Sequence, residues 1–314
     1  GGVGPWSTML MALMGADVIK VEPPLGDALR HQPPYQQGIS TTYMGLNFNK
    51  NVFQKDLKDR DNLESIIPLL READVIMENL RPSKLDKLGL SFDEVYKLNP
   101  QIVYVSCPCW GMDGPMRDFQ GANPHAEVFA GLASINGVPN RTPELARNQA
   151  GVDFTAGNYL LSAILTGLVN RNRTGKGQYI WTSQAGAAIN ATITRASEYL
   201  ISGAMPSRMG NASPYTVPDQ AFLCQDGRYL AVSVLTDDQW FGFCDALDAK
   251  DLADDSRLST NAGRVASREN LTSILSEKFL AKPTRWWAIR LTRNGVPNGP
   301  FLNYDDIRQH KHIL

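Results

Sequence analysis

The sequence predicts an α/β protein, with a large Rossmann-like domain on a parallel sheet followed by a smaller α+β domain. Three observations carry this. Short apolar strands alternate with helical patterns through residues 1–203. The strands read as near-continuous apolar runs, as strands buried on both faces do. Pro, Ser and Asn then cluster over residues 206–218, where the character of the chain changes.

Residues 6–14 have helical spacing (Met9, Leu10, Leu13, Met14), Gly15 stops them, and Asp17-Val18-Ile19-Lys20-Val21 reads as a strand. This is the second half of a β-α-β unit. Helix 61–73, strand 74–77, helix 91–98 before Pro100 and strand 102–106 repeat the alternation. Asp153 opens a long apolar helix to about residue 168, Arg173-Thr174-Gly175-Lys176-Gly177 turns the chain into strand 178–182, and a helix covers about 185–200. The large domain is thus placed at 1–203, a linker at 204–218 and the small domain at 219–314. The latter shows strands at 220–223 and 229–234, helices at 238–247, 268–280 and 284–293, and a last strand at 300–302.

Composition narrows the function. The 314 residues carry 31 Lys+Arg against 32 Asp+Glu, a formal charge of -1, so no basic excess announces a nucleic acid or membrane surface. The longest apolar stretch, 159–169, falls short of the roughly 20 residues of a membrane span. Four cysteines in a chain of this size make no disulfide scaffold, and a reducing cytoplasm is the expected setting. Cys107-Pro108-Cys109 lacks the second pair or nearby histidines of a zinc site, His31, His125, His310 and His312 share no ligand spacing, and no Gly-x-Ser-x-Gly appears, so hydrolase and metalloenzyme readings fall away. The chain opens at Gly1 without Met and ends on a polar run, so both ends look cut.

Two local features could carry chemistry. Gly151-Val152-Asp153-Phe154-Thr155-Ala156-Gly157 puts a carboxylate at a helix start, where free amides and the helix dipole favour its charge, and the small residues after it would admit a substrate. Sequence leaves two readings of Asp153, helix N-cap or reactive carboxylate. The second feature is the segment 78–90, Glu78-Asn79-Leu80-Arg81 onward, which leaves the carboxyl end of a strand with cations suited to phosphates. A solvated helix start explains the same charges. Gly1-Gly2-Val3-Gly4-Pro5 resembles a backbone cradle but lacks the Lys-Ser/Thr of a P-loop.

Taken in order, several stretches resemble the class III CoA-transferase family (CaiB/BaiF), which includes formyl-CoA:oxalate and carnitine CoA-transferases. They are Gly15-Ala16-Asp17-Val18-Ile19-Lys20-Val21-Glu22, Asn79-Leu80-Arg81-Pro82 with Leu88-Gly89-Leu90, Asn99-Pro100, Arg173-Thr174-Gly175-Lys176-Gly177-Gln178, Arg208-Met209-Gly210-Asn211 and Gly295-Val296-Pro297. The resemblance implies that Asp153 is the catalytic nucleophile, forming an anhydride with the donor acyl group, then an aspartyl-CoA thioester, then a second anhydride with the acceptor acid. It implies CoA-binding positions at Val3, Leu57, Lys58, Asn79, Leu80, Arg81 and Lys87, with Lys58, Arg81 and Lys87 near phosphates and Val3, Leu57 and Leu80 along the adenine or pantetheine path. Coenzyme A enters as substrate, no permanent cofactor is implied, and the partners are an acyl-CoA, a carboxylic acid and a second copy of the chain in an interlocked homodimer.

The chain departs from the family pattern in places. The first strand and the segment returning to the large domain look missing, and the glycine run of formyl- and oxalyl-handling members is absent near Asn211-Ala212-Ser213-Pro214, which argues against oxalate. Glu127 stands where a glutamine is frequent, and Ala122-Asn123 where relatives carry polar active-site residues. A 2-methylacyl-CoA racemase would need a histidine where Ala122 aligns, with His125 close by, and a non-catalytic subunit of a heteromeric transferase is the reading from another class.

Overall fold

A computed structural model of the protein describes residues 1–146 and 150–313. These divide into two compact units, one of residues 1–136 and 143–207, the other of residues 137–142 and 208–314.

The first unit is α/β. Its three-stranded parallel sheet places Val103–Ser106 between Val75–Glu78 and Gln178–Trp181. The middle strand is buried at every position, which explains its unbroken apolar run. Because side chains alternate across a strand, it feeds two cores. Val103 and Val105 pack with Val3, Ala156, Leu160 and Ile164, whereas Ile102 and Tyr104 pack with Ile66, Leu90 and Val95. A second parallel pair, Ile19–Glu22 with Asn51–Gln54, forms its own two-stranded sheet.

The helix Gly151–Thr174 joins these parts. It is long and apolar enough by composition to cross a membrane, yet Val152, Ala156, Leu160 and Ile164 are buried in the cores of this unit. Its glycines set the spacing. A Cβ on Gly157 would lie 2.7 Å from Trp6 Cδ1 and 3.0 Å from the Val3 carbonyl, and one on Gly167 would lie 2.4 Å from Val103 Cγ1. The small residues after Asp153 therefore admit the helix Val3–Leu13, not the substrate expected from sequence.

At the end of the first strand of that pair, Glu22 is fully buried and bonded to Arg30 Nε at 2.6 Å, Tyr43 Oη at 2.7 Å and Lys20 Nζ at 3.1 Å. Burial alone would raise its carboxyl, but Arg30, Tyr43 and Lys20 together hold it at about 2.

The second unit is α+β. Its antiparallel sheet runs Asn298–Pro300, Tyr229–Ser233, Asp219–Leu223, over an aromatic core of Phe222, Trp240, Phe243, Phe279 and Trp287. Buried Arg264 ties it together, donating to the carbonyls of Val217 (2.8 Å) and Leu258 (2.9 Å) and to Asp237 Oδ1 (2.9 Å).

Element boundaries differ from the sequence reading for local reasons. Helix 61–73 is two helices, Arg60–Glu64 and Ile67–Glu72, because Pro68 near the second start has no N–H and crowds the carbonyl four residues back. Helix 185–200 breaks at Thr192, whose hydroxyl donates to the Ile189 carbonyl at 3.0 Å in competition with the backbone, giving Gln184–Ala191 and Ile193–Ser202. The last strand is Asn298–Pro300 on a sheet edge, where a proline costs no ladder bond.

Candidate active site

Asp153 is the third residue of its helix, and Ala150 holds the N-cap without any side-chain bond. The N-cap reading therefore fails. Asn123, at the start of the helix Asn123–Phe129, does the capping work instead, its Oδ1 accepting from the Asp153 amide at 3.0 Å. The Asp153 carboxylate is left free for other partners, and among the described residues it has two. Oδ2 accepts from the Gly2 backbone amide at 2.9 Å, and Oδ1 from Gln184 Nε2 at 2.5 Å.

Each donor reaches the carboxylate through an element end. Gly2 is the N-cap of Val3–Leu13, so its amide precedes a helix whose close packing depends on Gly157. Gln184 begins its helix three residues after strand Gln178–Trp181, past Thr182 and the N-cap Ser183, whose hydroxyl accepts from the Gly186 amide at 3.0 Å. Carboxyl ends of parallel strands are where such sheets gather ligands. Asn79 leaves the other outer strand of the sheet, Val75–Glu78, at the same end, with its Nδ2 3.9 Å from where a Gly1 Cβ would stand.

Asp153 is only 7% exposed. Burial pushes its carboxyl above the ordinary aspartate range, against which the Gly2 amide pulls it down. A carboxylate kept dry and held by two neutral donors is short of hydration and suits nucleophilic attack on an electrophilic carbonyl.

The CoA positions expected from sequence separate into groups. Asn79 stands beside the glycine turn and Asp153. Leu80 is half-exposed, Lys58 and Lys87 are exposed, and Arg81 Nη1 donates to the Asp118 carbonyl at 3.2 Å. Leu57 packs partly against the Ile66–Tyr104 core. The Val3 side chain is completely buried in the core with Val103, Val105 and Ala156, which leaves its backbone at the turn.

A cavity of about 230 Å³ opens beside the Asn79 segment, lined by Glu78, Asp86 and Asp93 together with Tyr104, Tyr179 and Ser106. Burial raises the Glu78 carboxyl. Three carboxylates and no lysine or arginine in that lining make it hostile to phosphate. A wider apolar cavity of about 620 Å³ lies against the Asn123–Phe129 helix, lined by Trp110, Pro124, His125, Val128, Phe129 and Leu145. Glu127, on the same helix, is buried and accepts from the Ala146 amide at 2.6 Å.

Cys107 and Cys109 sit close to this site as thiols, Cys109 pushed by burial up to about 12 and Cys107 raised as well. Among the described residues no group of three His, Cys, Asp or Glu side chains could hold a metal ion.

Sequence reading missed Gln184 and the Gly2 amide. Both act on Asp153 across long sequence separations, and the Ser183-Gln184-Ala185-Gly186 stretch carries no motif. The available signal was position, a polar side chain at the first helix residue, three residues beyond a parallel strand.

The family model for CoA-transferase family III matches residues 1–314. Human "Succinyl-CoA:glutarate CoA-transferase" is 34% identical in an alignment covering 99% of this chain and 71% of that protein. The "Succinate--glutarate CoA-transferase" of Agrobacterium fabrum is 33% identical over 97% of this chain and 78% of its own length. Among solved structures, a CaiB/BaiF family protein from Brucella suis superposes with a TM-score of 0.88 at 32% identity, covering 99% of this chain and 83% of that one. The chain therefore belongs to CoA-transferase family III and is an enzyme of that family.

Proposed function

We propose that this enzyme moves coenzyme A from an acyl-CoA to a free carboxylic acid, with Asp153 as the nucleophile and anhydride and aspartyl-CoA thioester intermediates. The observation that carries the reading is the state of Asp153: buried, in the first turn of a helix, released from capping duty by Asn123, and held by Gly2 and Gln184. The helix N-terminus and the two donors favour charge on the carboxylate, and its burial limits water attack on a reactive anhydride.

CoA would approach past Asn79 and the glycine turn, with Lys58, Arg81 and Lys87 meeting phosphates and Leu57 and Leu80 contacting apolar portions. The large apolar cavity is a candidate chamber for the acyl group, and His125 is the ionisable residue in its lining. Relatives named for succinyl-CoA and glutarate make a dicarboxylic donor and acceptor the first pair to try.

The test is a matrix of acyl-CoAs (succinyl, acetyl, 2-methylacyl) against acids (glutarate, mesaconate, oxalate), read by chromatography of the CoA esters. Transfer that needs both substrates supports the reading, with glutarate outperforming oxalate. Exchange of an α-proton in a 2-methylacyl-CoA without transfer overturns it in favour of a racemase, and CoA binding without either reaction overturns it in favour of an accessory subunit.

A further inference from the structure

The two oxygens of Asp153 face different surroundings. Oδ2 looks onto glycines: a Cβ on Gly2 would stand 2.9 Å from it and one on Gly1 3.9 Å, so neither of these two residues puts a side chain against it. Oδ1 is met by a side chain, Gln184 Nε2 at 2.5 Å, in a bond whose two residues are both buried. Resting on the transferase reading above, we propose that Gln184 is a catalytic residue: it holds the oxygen that stays on the aspartyl carbon and stabilises its charge in the two steps that occur at that carbon.

The atom balance separates the two oxygens. Oδ2 attacks the thioester carbonyl carbon, the C–S bond breaks, and CoA leaves as thiolate with the bonding pair. The sulfur then attacks Cγ of Asp153, the bond from Cγ to Oδ2 breaks, and the donor acid departs as a carboxylate carrying Oδ2. An oxygen of the acceptor carboxylate attacks Cγ and expels the thiolate. The thiolate finally attacks the acceptor carbonyl carbon, the bond to the bridging oxygen breaks, and Asp153 is again a carboxylate. No proton is gained or lost. In the second and third steps Cγ becomes tetrahedral and the negative charge gathers on Oδ1, the oxygen facing Gln184.

Gln184 is built for that task. Its own amide donates to the Pro108 carbonyl at 3.2 Å and Ser183 caps its helix, so the side chain is presented from a fixed turn. Being neutral, it donates a hydrogen bond without offering a proton that would quench the nucleophile.

The test compares Gln184→Met, which keeps length and removes the donor, with Gln184→Glu, which donates only when protonated. Using the donor and acceptor found active in the substrate matrix, Gln184→Met should lose about 10²-fold in kcat, as removal of an oxyanion donor does, with KM for the acyl-CoA changed far less. Gln184→Glu should be as impaired at alkaline pH and regain rate as pH falls and its carboxyl becomes a donor, a response that a packing role would not give. A folded Gln184→Met with unchanged kcat, or a Gln184→Glu deficit independent of pH, overturns the proposal. A wild type forming no Asp153 adduct with any acyl-CoA sinks the transferase reading and this role with it, whereas an adduct-forming wild type with an indifferent Gln184→Met sinks this role alone.

Discussion

The backbone amide of Gly2 lies 2.9 Å from Oδ2 of Asp153, a contact between residues 151 positions apart. It makes the first turn of the structure part of the site. A Cβ on Gly2 would overlap that oxygen at 2.9 Å, while φ of -79° and ψ of -22° suit any residue, so Gly2→Ala brings collision without backbone strain. We expect a fall in kcat of about 10–10²-fold with little change in melting temperature, since small misplacements of a nucleophile are costly. Steady-state kinetics with a thermal melt checks this.

The pH dependence follows from the burial of Asp153, which raises its carboxyl above the ordinary range. The nucleophile must be ionised, so activity is present above the raised value and lost as pH falls through it. The acid limb of kcat/KM should therefore sit above the ordinary aspartate value of about 3.9. A pH profile with an acid limb at or below that value contradicts it.

Gly157 should matter to stability and site together. A Cβ there would meet Trp6 Cδ1 at 2.7 Å and the Val3 carbonyl at 3.0 Å, and the backbone oxygen cannot swing aside as a side chain can. Gly157→Ala should cost about 1–3 kcal/mol in denaturant unfolding, the usual cost of overpacking, and should lower kcat by moving the Gly2 turn.

Much of the fold was legible because burial on both faces leaves an unmistakable apolar strand, as at Val103–Ser106, and because Gly15 and Pro100 punctuate their helices. Asp153 was legible as a residue but not as a state. Whether it capped its helix depended on Asn123, thirty residues earlier, and whether it was held depended on Gly2 and Gln184, which only the packing of three helices brings together. The burial of the Val3 side chain was illegible for the same reason: a residue in a glycine turn can point into the core or out of it, and the turn sequence does not say which way.

Lys50 gives a stability prediction. Its ammonium donates to the carbonyls of Pro5 and Leu46, both at 2.8 Å, and burial, reinforced by Lys20, brings it down to about 7. The unfolded chain keeps Lys50 charged up to about pH 10.4, so between about 7 and 10 it binds more protons than the folded one, and this residue's contribution to stability rises with pH in that window. Lys50→Met should remove that rise, seen as a smaller slope of unfolding free energy against pH than in the wild type. Equal slopes contradict it.

The most direct measurement of the central claim is a trap at Asp153. The protein is incubated with an acyl-CoA and no acceptor, quenched with hydroxylamine or borohydride, digested, and its peptides are weighed. The chemistry proposed here predicts a hydroxamate or reduced residue at Asp153, lost in Asp153→Asn. Modification at another residue, or transfer persisting undiminished in Asp153→Asn, would contradict it.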